Sequence, residues 1–407
     1  SCMEYVIGID LGTSGTKTVL FDREGRVIAS ALVEYPLYQE RNGWAEQDPQ
    51  DWWDAACQTL RQVTAESGVA PEDIKGVGIS GQMHGLVMLD KEGKVLRRSI
   101  IWCDQRTAAQ CEEITQLVGK ERLIQITANP ALTGFTASKI LWVRENQPEL
   151  YARCAHILLP KDYVRYRLTG EFATEVSDAS GMQLLDVPRR QWSQEVLEKL
   201  GIDPALLGKV YESPEVTGEI TKEAAALTGL KAGIPVVGGA GDNAAAAVGT
   251  GTVGEGRCNI SLGTSGTIFI SSKKFGVDEH NALHSFAHAD GNYHLMGCML
   301  SAAACNKWWS EEILKSKDFA AEQSGITRLG ENHVFYLPYL MGERSPHNNP
   351  DARAMFIGMS MDTTREDMTQ AVLEGVTFGL RDSLEVARSI GIQIERTKIC
   401  GGGAKSP

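Results

Sequence analysis

Residues 5–22 read YVIGIDLGTSGTKTVLFD, a β-forming run through Val6, Ile7 and Ile9, a glycine turn over Gly12-Thr13-Ser14-Gly15, and a second β-forming run through Val19, Leu20 and Phe21, with Asp10 at the mouth of the turn. Gly12 and Gly15 tolerate φ > 0 and let backbone N–H groups approach an anion, and Thr13, Ser14 and Thr16 add hydroxyl donors. An isolated LGTSGT is accounted for equally well by a hairpin turn with no ligand. The chain repeats it, however. Residues 262–267 are again LGTSGT, preceded by Ile260 and followed by Ile268-Phe269-Ile270. Two identical turns between β-forming runs imply a duplicated chain whose halves face one ligand.

The 407 residues suffice for two domains. A formal net charge of -12 argues against an extended basic surface for nucleic acid or an anionic membrane, so the expected partner is a small molecule. Nine cysteines are scattered without a CxxC pair, which reads as reduced thiols in a cytoplasmic protein. No apolar run is long enough for a membrane span, and the start, with Met3 as the native initiator, lacks the pattern of a signal peptide.

After the first hairpin a turn at 22–25 leads to a third strand, and 51–67 place Trp52, Ala56, Leu60 and Val63 at helical spacing behind an Asp48-Pro49 start. A buried strand at 74–80 ends in Gly81-Gln82-Met83-His84-Gly85. A polar cluster at a strand end is where α/β domains place ligands, although His84 also fits a histidine hydrogen-bonded within a turn. Ile100 to Arg106 reads IIWCDQR; Trp102 suits either the core or the face of a sugar, and Asp104 either a surface pair with Arg106 or a hydroxyl ligand. Helices are expected over 108–126 and 136–152, and nothing in 168–185 is assigned to chemistry. The turn-rich stretch 227–233 is read as the domain junction, giving domains 3–230 and 231–407. Asp242 opens a helix after a glycine turn, where it serves as an N-cap, as a general base, or as both. Helices are expected at 300–313 and 364–390, and 401–406, GGGAKS, offer bare backbone to a flat ring or a phosphate.

Taken together these segments resemble the FGGY family of carbohydrate kinases over nearly the whole chain. Residues 7–17 and 261–267 are similar to its two phosphate motifs, 401–406 to its adenosine motif, and 134–146 and 354–374 to its two signatures. SGQMHG at 80–85 and IIWCDQRT at 100–107 are similar to the segments of the branch that phosphorylates xylulose. The resemblance implies an α/β, actin-like ATPase (ribonuclease H-like) fold, two related domains around a central cleft. It implies ATP and Mg²⁺ as cofactors, Asp242 as general base, and Asp10 as the carboxylate that orients the metal through water, with Asp242 also near the metal. The sugar falls to Met83, His84, Trp102, Asp104, Asp242 and Asn243. The nucleotide falls to Gly12, Thr13, Ser14, Lys17, Gly263, Thr264, Ser265, Gly402, Gly403 and Ala404. A homodimer is the assembly considered. Family members run on past the adenosine motif, so the second domain is expected to be cut short, at more cost to nucleotide than to sugar binding. The alternatives are a sister kinase for gluconate, ribulose, rhamnulose or glycerol, and a non-metabolic actin-like ATPase.

Overall fold

A computed structural model describes residues 4–241 except 23, 25, 213 and 214, together with 257–262, 266–272, 284–287, 293–299, 314, 335–337, 355–357, 361, 363–368, 370–371 and 396–400. The chain divides into two compact units, residues 1–248 with 286–291, and 249–285 with 292–407.

In the first unit, β1 (Tyr5–Leu11), β2 (Gly15–Asp22) and β3 (Val27–Glu34) form the antiparallel meander expected from the opening stretch, with Asp10 opposite Lys17 and Leu11 opposite Thr16. Burial in β1 alternates. Tyr5, Ile7, Ile9 and Leu11 face the core while Val6 and Asp10 face out, the period-two signature of a pleated strand. After the short β4 (Glu46–Gln47) comes α1 (Pro49–Ser67), capped by Asp48, whose carboxylate accepts from Gln50 N, and closed by Gly68 in the left-handed region. Its buried stripe of Trp52, Ala56, Leu60 and Val63 packs on β2 and β3. Then β5 (Ile74–Gly81) runs parallel to β1, bringing Ser80 level with Asp10 and Gly81 level with Leu11.

The short β6 (Val87–Leu89) and β7 (Ser99–Ile100) precede four helices, α2 (Ala108–Val118), α3 (Lys120–Thr127), α4 (Thr136–Asn146) and α5 (Pro148–Ala152). The two long helices expected here are each split. Gly119, at φ 88 and ψ 132, breaks the first, and Pro148, which has no N–H and restricts Gln147 before it, breaks the second. Leu86, Met88, Ile100, Ile114, Ile140 and Leu141 share a second core. Next come β8 (His156–Leu158), α6 (Pro160–Thr169), β9 (Ala173–Glu175) and α7 (Val176–Ala179), which runs into a 3-10 turn, Ser180–Met182.

Beyond them, β10 (Leu185–Asp186), β11 (Gln191–Trp192), α8 (Gln194–Leu200) and β12 (Lys209–Tyr211) lead to β13 (Val216–Glu219), α9 (Lys222–Thr228), β14 (Pro235–Val237) and β15 (Ala240–Gly241). The main sheet has the order β13-β14-β5-β1-β2-β3, with β15 also on β5. The stretch 227–233, read as the junction, therefore leads into a strand of the first sheet, and the compact units divide later, after Val248.

In the second unit, β16 (Arg257–Leu262), β17 (Gly266–Ser272), β18 (His284–Ala287), β19 (Tyr293–Met299) and, after a separate pair of β20 (Phe335–Leu337) and β21 (Met355–Ile357), β22 (Arg396–Cys400) build a sheet of order β18-β19-β17-β16-β22. Its pairing repeats that of the first unit. An antiparallel hairpin carries LGTSGT, a third antiparallel strand lies on one side, and a parallel strand lies on the other. β22 thus stands to β16 as β5 stands to β1, and the glycine run at 401–403 follows it as Gln82-Met83-His84 follows β5. Of the expected helix 364–390, the described residues show its start, where Thr364 Oγ1 accepts from Asp367 N and Asp367 accepts from Thr364 N. The expected helix at 300–313 lies outside the described residues. Among the described residues no helix is long and apolar enough to cross a membrane.

Candidate active site

The carboxyl ends of three neighbouring parallel strands gather the candidates in the first unit. β1 delivers Asp10 and the glycine turn, β5 delivers Gln82, Met83 and His84, and β15 ends at Gly241, level with Gly81. The residue after Gly241 is Asp242, which with Asn243, Gly263, Thr264, Ser265, Gly402, Gly403 and Ala404 lies outside the described residues.

Every carbonyl of the turn is satisfied from within. Gly12 O accepts from Tyr35 Oη and Gln82 Nε2, Thr13 O from Gln47 Nε2 at 2.6 Å, Ser14 O from Tyr35 N at 3.2 Å, and Gly15 O from Gly12 N at 3.0 Å. Carbonyl dipoles that would repel an anion are thereby turned inward, leaving the turn to act through N–H and hydroxyl donors. Nothing in the sequence marks Tyr35 or Gln47, and Gln82 reads there only as part of the strand-end cluster. A Gln side chain carries no local signal of a contact 34 or 70 residues away. The glycines also work differently from the expectation, since neither Gly12 nor Gly15 has positive φ. Gly15 is required by space, because a Cβ there would stand 2.7 Å from Val33 O on the adjoining strand.

Asp10 opens to solvent at the strand end and accepts from Ser80 Oγ at 3.2 Å. Desolvation raises its carboxyl above the usual range, against the lowering effects of Ser80 and Lys17. A carboxylate held so gains from a nearby cation. Among the described residues no group of three or more His, Cys, Asp or Glu could hold a metal.

His84 and Met83 are buried, and His84 adopts φ 72. Its carbonyl accepts from Thr136 Oγ1 at 2.9 Å and Lys139 Nζ at 3.0 Å, which gives the GFTASK segment at 134–139 a physical role: it clamps the segment that follows β5. The ring tilts against Phe135 at 5.0 Å, and Nδ1 donates to Gly181 O at 3.0 Å. Trp102 is half-buried and its indole Nε1 donates to Thr13 Oγ1 at 2.9 Å, tying the segment after β7 to the glycine turn. Thr13 accepts there and keeps its own O–H to donate.

Asp104 is not part of a surface pair. It is fully buried; Oδ2 accepts from Ala45 N at 2.7 Å and Arg106 Nη2 at 2.7 Å, and Oδ1 from Arg106 N at 2.9 Å. Arg106 in turn bridges to Glu46 at 2.9 Å and lies over Trp44 and Trp142. A sugar hydroxyl at Asp104 would have to share oxygens already taken.

Behind these strand ends lies a buried ion cluster. Lys161 Nζ is 3.3 Å from Asp162, 3.1 Å from Glu175 and 3.1 Å from Asp178, and Arg165 binds Asp162 at 2.7 Å and Gly238 O at 2.6 Å. Glu175 caps α7 by accepting from Ser177 N and Asp178 N. Burial pushes the Asp178 carboxyl up to about 8, since two cations face three acids. The stretch 168–185 thus supplies Gly181, which bonds His84, and the acids Glu175 and Asp178 of the buried cluster.

Residues 5–249 match the model of the FGGY family of carbohydrate kinases, N-terminal domain, and residues 258–407 that of its C-terminal domain. Xylulose kinase of Bacillus subtilis (strain 168) is 40% identical over 407 residues, spanning 99% of this chain and 81% of the relative. The crystal structure of a xyloylose kinase from Brucella ovis superposes with a TM-score of 0.86 at 38% identity, over 99% of this chain and 83% of that one. Gluconate kinase from Lactobacillus acidophilus reaches a TM-score of 0.88 at only 27% identity, over 99% and 82%.

Proposed function

Because this chain belongs to the FGGY family of carbohydrate kinases, we propose that it transfers the γ-phosphoryl group of ATP to a primary hydroxyl of D-xylulose, giving D-xylulose 5-phosphate, in the cytoplasm. The observation that carries the reading is the inward binding of all four turn carbonyls from Gly12 to Gly15, with Trp102 bonded to Thr13 of that turn and His84 two residues past Gln82, which bonds Gly12 O. A donor-only turn suits the charge that spreads over the phosphoryl oxygens in transfer, and hydroxyl-binding groups tied to it are superfluous in a pure nucleotide switch. Relatives named for xylulose, at 40% identity, favour that sugar over gluconate, whose kinase shares the fold at lower identity.

Asp242 would accept the proton of the attacking hydroxyl, Met83, His84, Trp102 and Asn243 would orient the sugar, and Asp10 would hold Mg²⁺ through water. Bound with ATP, Mg²⁺ neutralises charge on the β- and γ-phosphate oxygens. Thr13, Ser14 and Lys17 would meet phosphate from the first unit, and Gly263, Thr264, Ser265, Gly402, Gly403 and Ala404 would meet the nucleotide from the second. ADP release across a panel of ketoses, polyols and gluconate tests the reading. D-xylulose should give the highest kcat/KM by at least about tenfold, the scale on which a site built for hydroxyls discriminates. A better turnover of gluconate or glycerol would replace the substrate, and ATP turnover indifferent to sugar would favour an actin-like ATPase.

Trp102→Phe separates the roles of the indole. Phe keeps an aromatic face for the sugar but loses the N–H that anchors Thr13. A neutral hydrogen bond contributes about 0.5–1.5 kcal/mol, so kcat/KM for ATP should fall about two- to tenfold while KM for xylulose moves less than about twofold. The reverse pattern would place the indole N–H on the sugar instead.

A further inference from the structure

We infer that Gly181 sets the orientation of His84 and thereby the hydrogen-bonding sense in which the sugar is read, an inference that rests on His84 being the sugar contact proposed above. Three constraints converge on this histidine. Its carbonyl is held by Thr136 and Lys139, one side of its ring meets Phe135, and its Nδ1 lies 3.0 Å from Gly181 O. A carbonyl oxygen can only accept, so Nδ1 carries the proton, and in the neutral ring Nε2 is an acceptor. The group read at Nε2 is then a donor, as a sugar hydroxyl is and a keto or ether oxygen is not.

The second observation is steric. A methyl group on Gly181 would fall on Nδ1 and Cε1 of His84, with Met83 Cε next at 3.4 Å. The ring cannot yield by a simple rotation, because Phe135 stands on one side and two donors pin the backbone. Gly181 sits in the 3-10 turn Ser180–Met182 and is not among the positive-φ residues, so alanine meets no backbone objection and its effect falls on the imidazole. The turn itself is held in place through α7, which Glu175 caps and Lys161 ties to α6. Gly181 is therefore a positioning residue, 97 positions from the histidine it aims.

Steady-state kinetics of Gly181→Ala, His84→Ala and the double variant test this. Gly181→Ala should raise KM for xylulose by about tenfold, and His84→Ala by about tenfold or more, the range for a polar group left without its partner. The double variant should be within about twofold of His84→Ala alone, and KM for ATP should stay within about twofold throughout. An unchanged xylulose KM in Gly181→Ala, or effects that multiply in the double variant, would overturn the inference. An unchanged xylulose KM in His84→Ala would instead overturn the sugar-contact reading on which it rests. A measurement on the unaltered chain is independent of how the variants fold: ¹⁵N-imidazole spectra should show His84 as the neutral Nδ1–H tautomer, and an Nε2–H tautomer would refute the assignment.

Discussion

Replacing Asp242 with asparagine is expected to lower kcat for xylulose phosphorylation by roughly 10² to 10⁴, the range for loss of a general base, with KM values for sugar and ATP changed much less. The expectation follows from where β15 ends. Gly241 is paired with Gly81 of β5, whose neighbour on β1 is Leu11, and Asp10 is paired with Ser80, so the three strand ends are in register. Asp242 is the residue after Gly241 in the sequence, and a carboxylate at that position suits the proton acceptor that transfer to a hydroxyl requires. Asparagine is as good an N-cap as aspartate, so the fold should survive and the loss should be one of chemistry. A variant that turns over at near the native rate would show Asp242 to be a cap and nothing more.

Lys161→Met is expected to destabilise the protein by about 3–5 kcal/mol, the cost of breaking a buried ion pair from one side. Lys161 is fully buried, and its loss would leave Asp162, Glu175 and Asp178 facing Arg165 alone. Asp178→Asn should act in the opposite sense at neutral to alkaline pH. With its folded carboxyl pushed up to about 8, Asp178 keeps a proton that the unfolded chain releases near the ordinary aspartate value. The folded state binds the extra proton across that interval, so stability falls as pH rises from about 4 to about 8 and then levels off. The Asn variant should show a shallower decline over the same window. Denaturant unfolding at a series of pH values measures both variants. A Lys161→Met protein within 1 kcal/mol of wild type, or an Asp178→Asn protein with an undiminished pH slope, would mean that the cluster is not a charge-balanced support.

The hairpin of 5–22, its duplicate at 257–272, the third strand and the capped helix after Asp48 were legible because each is written in residues a few positions apart: alternation for strands, glycine at the turn, an Asp–Pro start for the helix. The helix breaks at Gly119 and Pro148 are equally local, a glycine and a proline interrupting a longer helical period. The motifs also named Asp10, Met83, His84 and Trp102, which lie at or just past the carboxyl ends of β1, β5 and β7.

What tertiary structure alone decided is who holds these groups. Tyr35, Gln47 and Gln82 turn the carbonyls of the phosphate turn inward, Asp104 is spent on Arg106 and Ala45, and Gly181 aims His84. Such partners lie tens of residues apart, and a hydrogen bond between them depends on the packing of whole strands and helices. Nothing in the neighbourhood of Gly181 marks it as required, because the atoms it must avoid belong to His84, past the end of β5.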